Sequence, residues 1–243
     1  MTDGPLLVAE AVRHRFGALT VLDGVTFAVV PGEAVGIVGP NGAGKTTLLN
    51  VLAGSLRPSE GVVRFRGADV TRSGAATRCR LGVGRSHQVP RPFGEMTVFE
   101  NVLVGATAGG RVRAAEASRL GLDVLERCGL AALANRRAES LGLLDRKRLE
   151  LARALATGPE VLLLDEIGGG LTDAEAGELL DTVGAVRRAG VAIVWIEHIV
   201  HVLVRLVGRL VCMDAGRVIA DGDPEAVMKD AAVVDAYLGR SRG

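Results

Sequence analysis

A glycine-rich segment near the start of the chain carries the clearest chemical pattern. It consists of Gly39, Pro40, Asn41, Gly42, Ala43, Gly44, Lys45 and Thr46. This order matches Gly-x-x-x-x-Gly-Lys-Ser/Thr, a loop whose backbone N–H groups surround phosphate ahead of a helix N-terminus. Lys45 is expected to reach the β- and γ-phosphates, and the hydroxyl of Thr46 to coordinate Mg²⁺. The segment therefore predicts a nucleoside triphosphate site, with Thr47 as a further contact.

Two adjacent acids supply the second part of such a site. The apolar run Val161–Leu164 is followed by Asp165 and Glu166. A buried strand with this pattern would place Asp165 at its carboxyl end, toward Mg²⁺. The next carboxylate, Glu166, can orient and deprotonate an attacking water. Two solvated acids at a strand end are the alternative, and the phosphate loop upstream makes hydrolysis the favoured interpretation.

Composition restricts the class of protein. The 243 residues contain 29 Lys plus Arg and 28 Asp plus Glu, a formal net charge of +1, and 48% are hydrophobic. This is ordinary globular composition, and the near-zero charge argues against nucleic-acid binding. Three widely spaced cysteines, Cys79, Cys128 and Cys212, predict free thiols in a reducing compartment. We find no membrane-spanning run and no signal-peptide pattern.

The elements that must position these residues alternate between strands and helices. Expected strands are Leu6–Ala9, Ala18–Leu22, Val25–Val30, Ala34–Val38, Val62–Phe65 (an edge strand), Val161–Asp165 and Val191–Ile196. Expected helices are Lys45–Ala53, Arg111–Cys128, Arg146–Ala156, Asp173–Arg188, His201–Val207 and a short C-terminal helix, with a hairpin at Asp214–Arg217. This order predicts an α/β fold with a mixed, mainly parallel sheet and an N-terminal antiparallel β subdomain. We expect one domain, 1–243, in which 1–87 and 156–243 form the core and 88–155 an inserted helical subdomain.

Three further features narrow the class of nucleotide-binding protein. Gln88 lies at the junction of core and helical subdomain, the segment Arg148–Leu155 directly precedes the Asp165 strand, and His198 follows the strand that ends at Ile196. In this order the chain resembles the ATP-binding cassette (ABC) family over essentially its whole length. A GTPase would need Asn-Lys-x-Asp, and no Asn here is followed by Lys. A small-molecule kinase would not need the Arg148–Leu155 helix.

Within the ABC family the chain is most similar to the ATP-binding subunits of branched-chain amino-acid importers. The segments that carry this resemblance are Gly84–Gln88, Pro92–Val102, Arg148–Glu150 and Ala236–Gly239. The resemblance implies a P-loop NTPase fold, with ATP and Mg²⁺ as cofactors. It implies integral-membrane permease subunits, a second ATP-binding subunit and, indirectly, a solute-binding protein as partners, at the cytoplasmic face of the membrane. Urea, an amide or another small solute, or a soluble ABC ATPase, remain the alternatives.

The same resemblance assigns roles to individual residues. Glu166, His198 and Gln88 would be catalytic, with Glu166 as base, His198 on the γ-phosphate, and Gln88 sensing Mg²⁺ and water while linking to the membrane subunit. Thr46, Gln88 and Asp165 would form the metal site. Phe16 would stack on the adenine, and the alternative is that it is a core aromatic. His14 and His87 receive no role.

The chain departs from the family at the signature loop. Leu-Ser-Gly-Gly-Gln is replaced by Leu141, Gly142, Leu143, Leu144 and Asp145. The loop therefore lacks the serine hydroxyl, and a leucine occupies the last glycine position. Ile167 also replaces the usual proline after the glutamate, ahead of the glycines at 168–170. We expect this chain's own site to be intact and its contribution to the site of a partner subunit to be weakened.

Overall fold

The computed structural model describes residues 4–109, 112–197 and 203–238. The strands are β1 Leu7–Phe16, β2 Leu19–Val29, β3 Ala34–Val38, β4 Glu60–Phe65, β5 Ala68–Asp69, β6 Val83–Arg85, β7 Val161–Asp165, β8 Ala192–Ile196, β9 Arg209–Asp214 and β10 Arg217–Gly222. The helices are α1 Lys45–Ala53, α2 Ala75–Leu81, α3 Val98–Ala108, α4 Ala114–Arg127, α5 Leu143–Ala156, α6 Asp173–Arg188, α7 Pro224–Lys229 and α8 Ala231–Leu238.

A six-stranded sheet in the order β10-β9-β3-β8-β7-β6 forms the centre of the core. Its pairs are parallel except β9 with β10. The central strands are hydrophobic throughout because both faces of the sheet are covered. On β3, for example, Val35 and Ile37 belong to one apolar cluster, and Ala34 and Val38 to the other. The mixed, mainly parallel sheet confirms the α/β prediction.

A four-stranded antiparallel sheet, β2-β1-β4-β5, packs beside this core. The first thirty residues predict three short strands, but β1 and β2 form one long hairpin. The break expected at Asp23 and Gly24 is a bulge, at which pairing shifts from Val12↔Val25 to His14↔Leu22 and then resumes. Gly24 has φ +72° there, a conformation that costs glycine little and bends the strand without ending it.

The expected edge strand at Val62–Phe65 is also a correction. It forms part of β4, which pairs with β1 on one side and with the two-residue β5 on the other. The sequence pattern missed β5 because two residues are too few to produce an alternation of apolar and polar side chains. Strand β4 therefore lies between β1 and β5, but β5 pairs with only two of its residues, Arg64 and Phe65.

Helices α3, α4 and α5 pack on one another between β6 and β7 in the chain. Helix α3 begins with a capping box. The Thr97 hydroxyl accepts a hydrogen bond from the Glu100 backbone N–H, and the Glu100 carboxylate accepts one from the Thr97 backbone N–H. The subdomain limits 88 and 155 stay a prediction. The first part of the expected helix His201–Val207 lies outside the described residues. Among the helices of the described ranges, none combines the length and apolarity needed to cross a bilayer.

Candidate nucleotide-binding site

The glycine-rich segment connects β3 to α1, as its sequence predicts. Lys45, the first residue of α1, is 5% exposed, and its Nζ donates to the carbonyl of Gly39 at 2.7 Å and to that of Pro40 at 3.0 Å. Burial lowers the pKa of this amine, and the carboxylates of Glu166 and Asp165 oppose the shift. The loop thus holds a buried cation against its own backbone, at the N-terminus of a helix.

A pocket of about 190 Å³ brings the phosphate loop and the candidate base together. It is lined by Val21, Asn41, Gly42, Ala43, Gly44, Lys45, Thr46, Thr47 and Glu166. Gln88 reaches the same carboxylate, since its Nε2 donates to Glu166 Oε2 at 2.5 Å. The structure therefore brings Gln88 and Glu166 together beside the residues expected to bind phosphate.

Glu166 has an unusual backbone conformation. Its φ is +47°, in the left-handed region that non-glycine residues rarely adopt. Its N–H is held by the carbonyl of Ile196 at 2.9 Å, so strand β8 fixes the residue that follows β7. Strain of this kind costs about 1–3 kcal/mol and concentrates at functional sites. The strained turn directs the chain away from the strand directly after Asp165.

Asp165 has the donor chemistry of a magnesium ligand. Its Oδ2 accepts from Arg85 Nη2 at 3.3 Å, whereas its buried Oδ1 has no hydrogen-bond partner among the residues that the structure describes. Burial raises the pKa of this carboxyl, as does Glu166, while Arg85 lowers it. An unpaired carboxylate oxygen is a suitable ligand for Mg²⁺, a hard cation that prefers oxygen. Asp165 and the Thr46 hydroxyl therefore fit the expected metal.

The aromatic residue expected at the adenine is accessible. Phe16 ends β1 and is 53% exposed, so it is not a core aromatic. Its ring packs edge-on against His14, with ring centroids 4.6 Å apart. Stacking on a base remains a prediction for this residue.

The candidate γ-phosphate contact, His198, lies outside the described residues. The preceding residue, Glu197, is 2% exposed, and its Oε1 accepts from the Gly168 N–H at 2.7 Å and from Trp195 Nε1 at 3.3 Å. This carboxylate therefore connects the end of β8 to the glycine-rich segment after Glu166. Sequence reasoning gave Glu197 no role.

The altered signature segment forms the start of α5. Gly142 is the N-cap residue, in extended backbone, and no side chain caps the helix. Leu143 is 47% exposed, and its Cδ2 lies 3.3 Å from where a Cβ on Gly170 would stand. The backbone N–H groups of the first helical turn are thus presented beside leucine side chains, without a hydroxyl.

Arg85 contacts the candidate magnesium ligand Asp165, and sequence reasoning gave Arg85 no role of its own. Its side chain is 12% exposed, and its Nη1 donates to Asn50 Oδ1 at 2.6 Å while Nη2 donates to Asp165 Oδ2 at 3.3 Å. Burial lowers the pKa of Arg85, and Asp165 opposes the shift. The pairing of β6 with β7 places the two residues together. The available signal was its place in the segment Gly84–Gln88, which carries part of the family resemblance.

Comparison with known proteins agrees with this geometry. The family model described as ABC transporter matches residues 22–168, and one described as branched-chain amino acid ATP-binding cassette transporter matches 217–242. The high-affinity branched-chain amino acid transport ATP-binding protein LivG of Escherichia coli is 35% identical, with 98% of this chain and 99% of the relative covered. BraF of Pseudomonas aeruginosa, described in the same words, is 33% identical over the same shares.

Solved structures give the same result. The ADP conformation of an ATP-binding cassette of an ABC transporter has a TM-score of 0.89 at 31% identity, covering 98% of this chain and all of the other. A nucleotide-free ATP-binding cassette has a TM-score of 0.88 at 31% identity, covering 96% and 99%. The chain belongs to the ABC transporter family, as an ATP-binding cassette. Its enzymatic class is that of an ATPase.

Proposed function

We propose that this chain is the ATP-hydrolysing subunit of an importer for branched-chain amino acids. The observation that carries the proposal is the single pocket shared by the phosphate loop and Glu166, with Gln88 on the Glu166 carboxylate. The curated relatives in Escherichia coli and Pseudomonas aeruginosa are named for branched-chain amino acid transport, which supports the solute class.

In this proposal each residue has a defined part in hydrolysis. The loop N–H groups and Lys45 bind the β- and γ-phosphates, and Phe16 stacks on adenine. Glu166 accepts a proton as water oxygen attacks the γ-phosphorus and the bond to the ADP oxygen breaks. Gln88 orients the Glu166 carboxylate, and His198 contacts the γ-phosphate. Thr46, Gln88 and Asp165 would hold Mg²⁺, which supplies charge neutralisation to the phosphates.

The surface beside Gln88 suits contact with the permease. A cleft of about 280 Å³ separates α1 and α2 from α3 and α5, lined by small and apolar residues together with Arg85, His87, Arg153 and the acidic Glu150. A permease helix in this cleft would contact the segment that leads to Gln88, so movement there would reach the Glu166 carboxylate. With a permease bound there, the chain would lie at the cytoplasmic face of the membrane.

Transport by the whole assembly tests the solute. This chain, a second ATP-binding subunit, two permease subunits and a solute-binding protein would be reconstituted in proteoliposomes. We expect ATP-dependent uptake of labelled leucine, and none with the Glu166→Gln chain. Uptake of urea or acetamide without leucine would overturn the solute class. Failure of the chain to associate with any permease would favour a soluble ABC ATPase.

We further propose that two different ATP-binding subunits form the working dimer. This chain retains its phosphate loop, Asp165 and Glu166, whereas Gly142 and Leu144 weaken what it offers across the dimer. Losing the hydroxyl removes a charge-assisted hydrogen bond, in general worth about 1.5–3 kcal/mol. The purified chain alone should therefore hydrolyse ATP more slowly than the complete assembly. The double variant Gly142→Ser with Leu144→Gly should hydrolyse ATP faster than the purified wild-type chain. Equal rates for the chain alone and the assembly would contradict the proposal.

A further inference from the structure

A tyrosine close to the C-terminus contacts the first residue of the phosphate loop. Tyr237 lies on α8, and its hydroxyl accepts from the backbone N–H of Gly39 at 2.9 Å, across 198 residues of chain. It is the single tyrosine in the sequence. Burial raises the pKa of this hydroxyl, and the hydrogen bond from Gly39 partly offsets the shift. The hydroxyl therefore stays protonated and neutral near physiological pH.

Gly39 is held on its other sides as well. Its φ is +141°, and a Cβ at this position would lie 2.0 Å from the carbonyl oxygen of Met213 on β9. Only glycine allows so close an approach of the two backbones. Its carbonyl accepts from Lys45 Nζ at 2.7 Å. The N–H is the remaining polar group of this residue, and Tyr237 supplies its acceptor.

Helix α8 is anchored well enough to hold that acceptor in place. It packs against α7 and β10, and Val233 on its inner face is 1% exposed and part of the main core cluster. Before it, Asp230 Oδ1 accepts from the Ala232 N–H at 2.8 Å and orders the first turn. The position of the tyrosine hydroxyl therefore depends on the core and not on the loop that it contacts.

We propose that Tyr237 is a positioning residue for the phosphate loop. Its hydroxyl fixes the Val38–Gly39 peptide at the start of the loop, and the carbonyl of the next peptide, that of Gly39, holds the Lys45 ammonium that would bind the phosphates. Without the hydroxyl, the Gly39 N–H loses its acceptor and the loop samples more conformations. Nucleotide binding must then order the loop, and this entropy cost weakens affinity. The inference rests on the proposed function, since it requires nucleotide phosphates in the loop.

The test compares Tyr237→Phe with Leu238→Ala, a control at the next position of α8 that is 68% exposed. MgATP affinity of the full chain is measured by calorimetry. Loss of one hydrogen bond predicts a Kd for Tyr237→Phe about two- to tenfold higher, with Leu238→Ala unchanged. In the assembled transporter the KM for ATP rises by the same factor, with kcat altered less than about twofold. Amide hydrogen exchange at Gly39 becomes faster only in Tyr237→Phe.

Each other outcome has a distinct meaning. Wild-type affinity in Tyr237→Phe, or an equal loss in Leu238→Ala, overturns the positioning role while leaving the proposed function intact. A lower kcat at unchanged KM overturns it as well. If the wild-type chain itself does not bind MgATP, the proposed function fails and this inference fails with it.

Discussion

The side-chain amide of Gln88 donates a hydrogen bond to the carboxylate of Glu166 at 2.5 Å, although 78 residues separate them in sequence. The two lie together because β6 pairs with β7. Gln88 comes shortly after the end of β6, and Glu166 comes directly after the end of β7. The candidate base is therefore oriented by a residue from the segment that leads into the helical region. A displacement of Gln88 would therefore alter the orientation of the Glu166 carboxylate.

Removing the Gln88 amide should slow hydrolysis more than it weakens binding. In Gln88→Ala we expect phosphate release to fall about 10- to 100-fold, because a displaced base loses its alignment with water. The affinity for MgATP should change less, since the phosphate loop is untouched. Steady-state phosphate release and calorimetry measure the two effects. Val89→Ala, at an exposed neighbouring position, is the matched control; wild-type turnover in Gln88→Ala would contradict the orienting role.

Phe16 should contribute to nucleotide affinity only by stacking on the adenine base. Stacking of a base on an aromatic ring is worth about 1–3 kcal/mol, so Phe16→Ala should weaken MgATP binding about 5- to 150-fold. Phe16→Tyr should retain affinity, and inorganic tripolyphosphate should bind both variants like wild type. Leu19→Ala, which truncates a more exposed apolar side chain nearby, serves as control. A Phe16→Ala protein with wild-type affinity for MgATP would remove Phe16 from the site.

Arg78 should be a major determinant of stability, because it caps the helix behind the phosphate loop. It is fully buried, and its guanidinium donates to the carbonyls of Val51 at 2.6 Å, Leu52 at 2.8 Å and Val70 at 2.7 Å. Burial lowers its pKa to about 10, so it is still charged at neutral pH. Arg78→Met removes these three buried hydrogen bonds, and of the three carbonyls only those of Val51 and Val70 keep a backbone donor, from Gly54 and Ser73. The substitution should therefore lower the free energy of unfolding by about 3 kcal/mol.

Urea unfolding measures that loss. Arg80→Met, at an exposed position of the same helix α2, should change the free energy of unfolding by less than about 0.5 kcal/mol. A similar small effect for Arg78→Met would show that water replaces the guanidinium at the end of α1.

Asp23 should make a pH-dependent contribution to the stability of the fold. It lies where the antiparallel sheet meets the β9–β10 hairpin. A hydrogen bond from Arg217 lowers the pKa of Asp23 below its ordinary value of 3.8, and Arg13 adds to the shift. A carboxyl with a lowered folded-state pKa stabilises the fold above the unfolded pKa, and this contribution is lost as pH falls through the folded value. Asp23→Asn should therefore lower the Tm near neutral pH, with the difference from wild type vanishing in strong acid.

Thermal unfolding across a pH series tests this. Because the pair is exposed, the effect should be small and should shrink with added salt. Asp181→Asn, at an exposed position of α6, is the matched control. A difference between Asp23→Asn and wild type that persists in acid would mean that the side chain acts by another route.

Local patterns predicted the parts of the site that lie on consecutive residues. The phosphate loop follows one buried strand and the Asp165–Glu166 pair ends another, and the apolar runs Ala34–Val38 and Val161–Leu164 identified both strands. The pairing of β6 with β7, which sets Arg85 on Asp165, could not be predicted in the same way. A three-residue strand carries too little periodicity to be recognised. The contact of Tyr237 with Gly39 depends on how the last helix packs, and no local pattern encodes it.

Turnover by Glu166→Gln tests the central claim most directly. The substitution keeps the shape of the side chain and its contact with Gln88 but removes the ability to accept a proton. Phosphate release should fall at least about 100-fold, whereas Glu225→Gln, on an exposed face of α7, should match wild type. MgATP must still bind, because the loop and Lys45 are unchanged. Undiminished phosphate release by Glu166→Gln would contradict the account, since the base would then lie elsewhere.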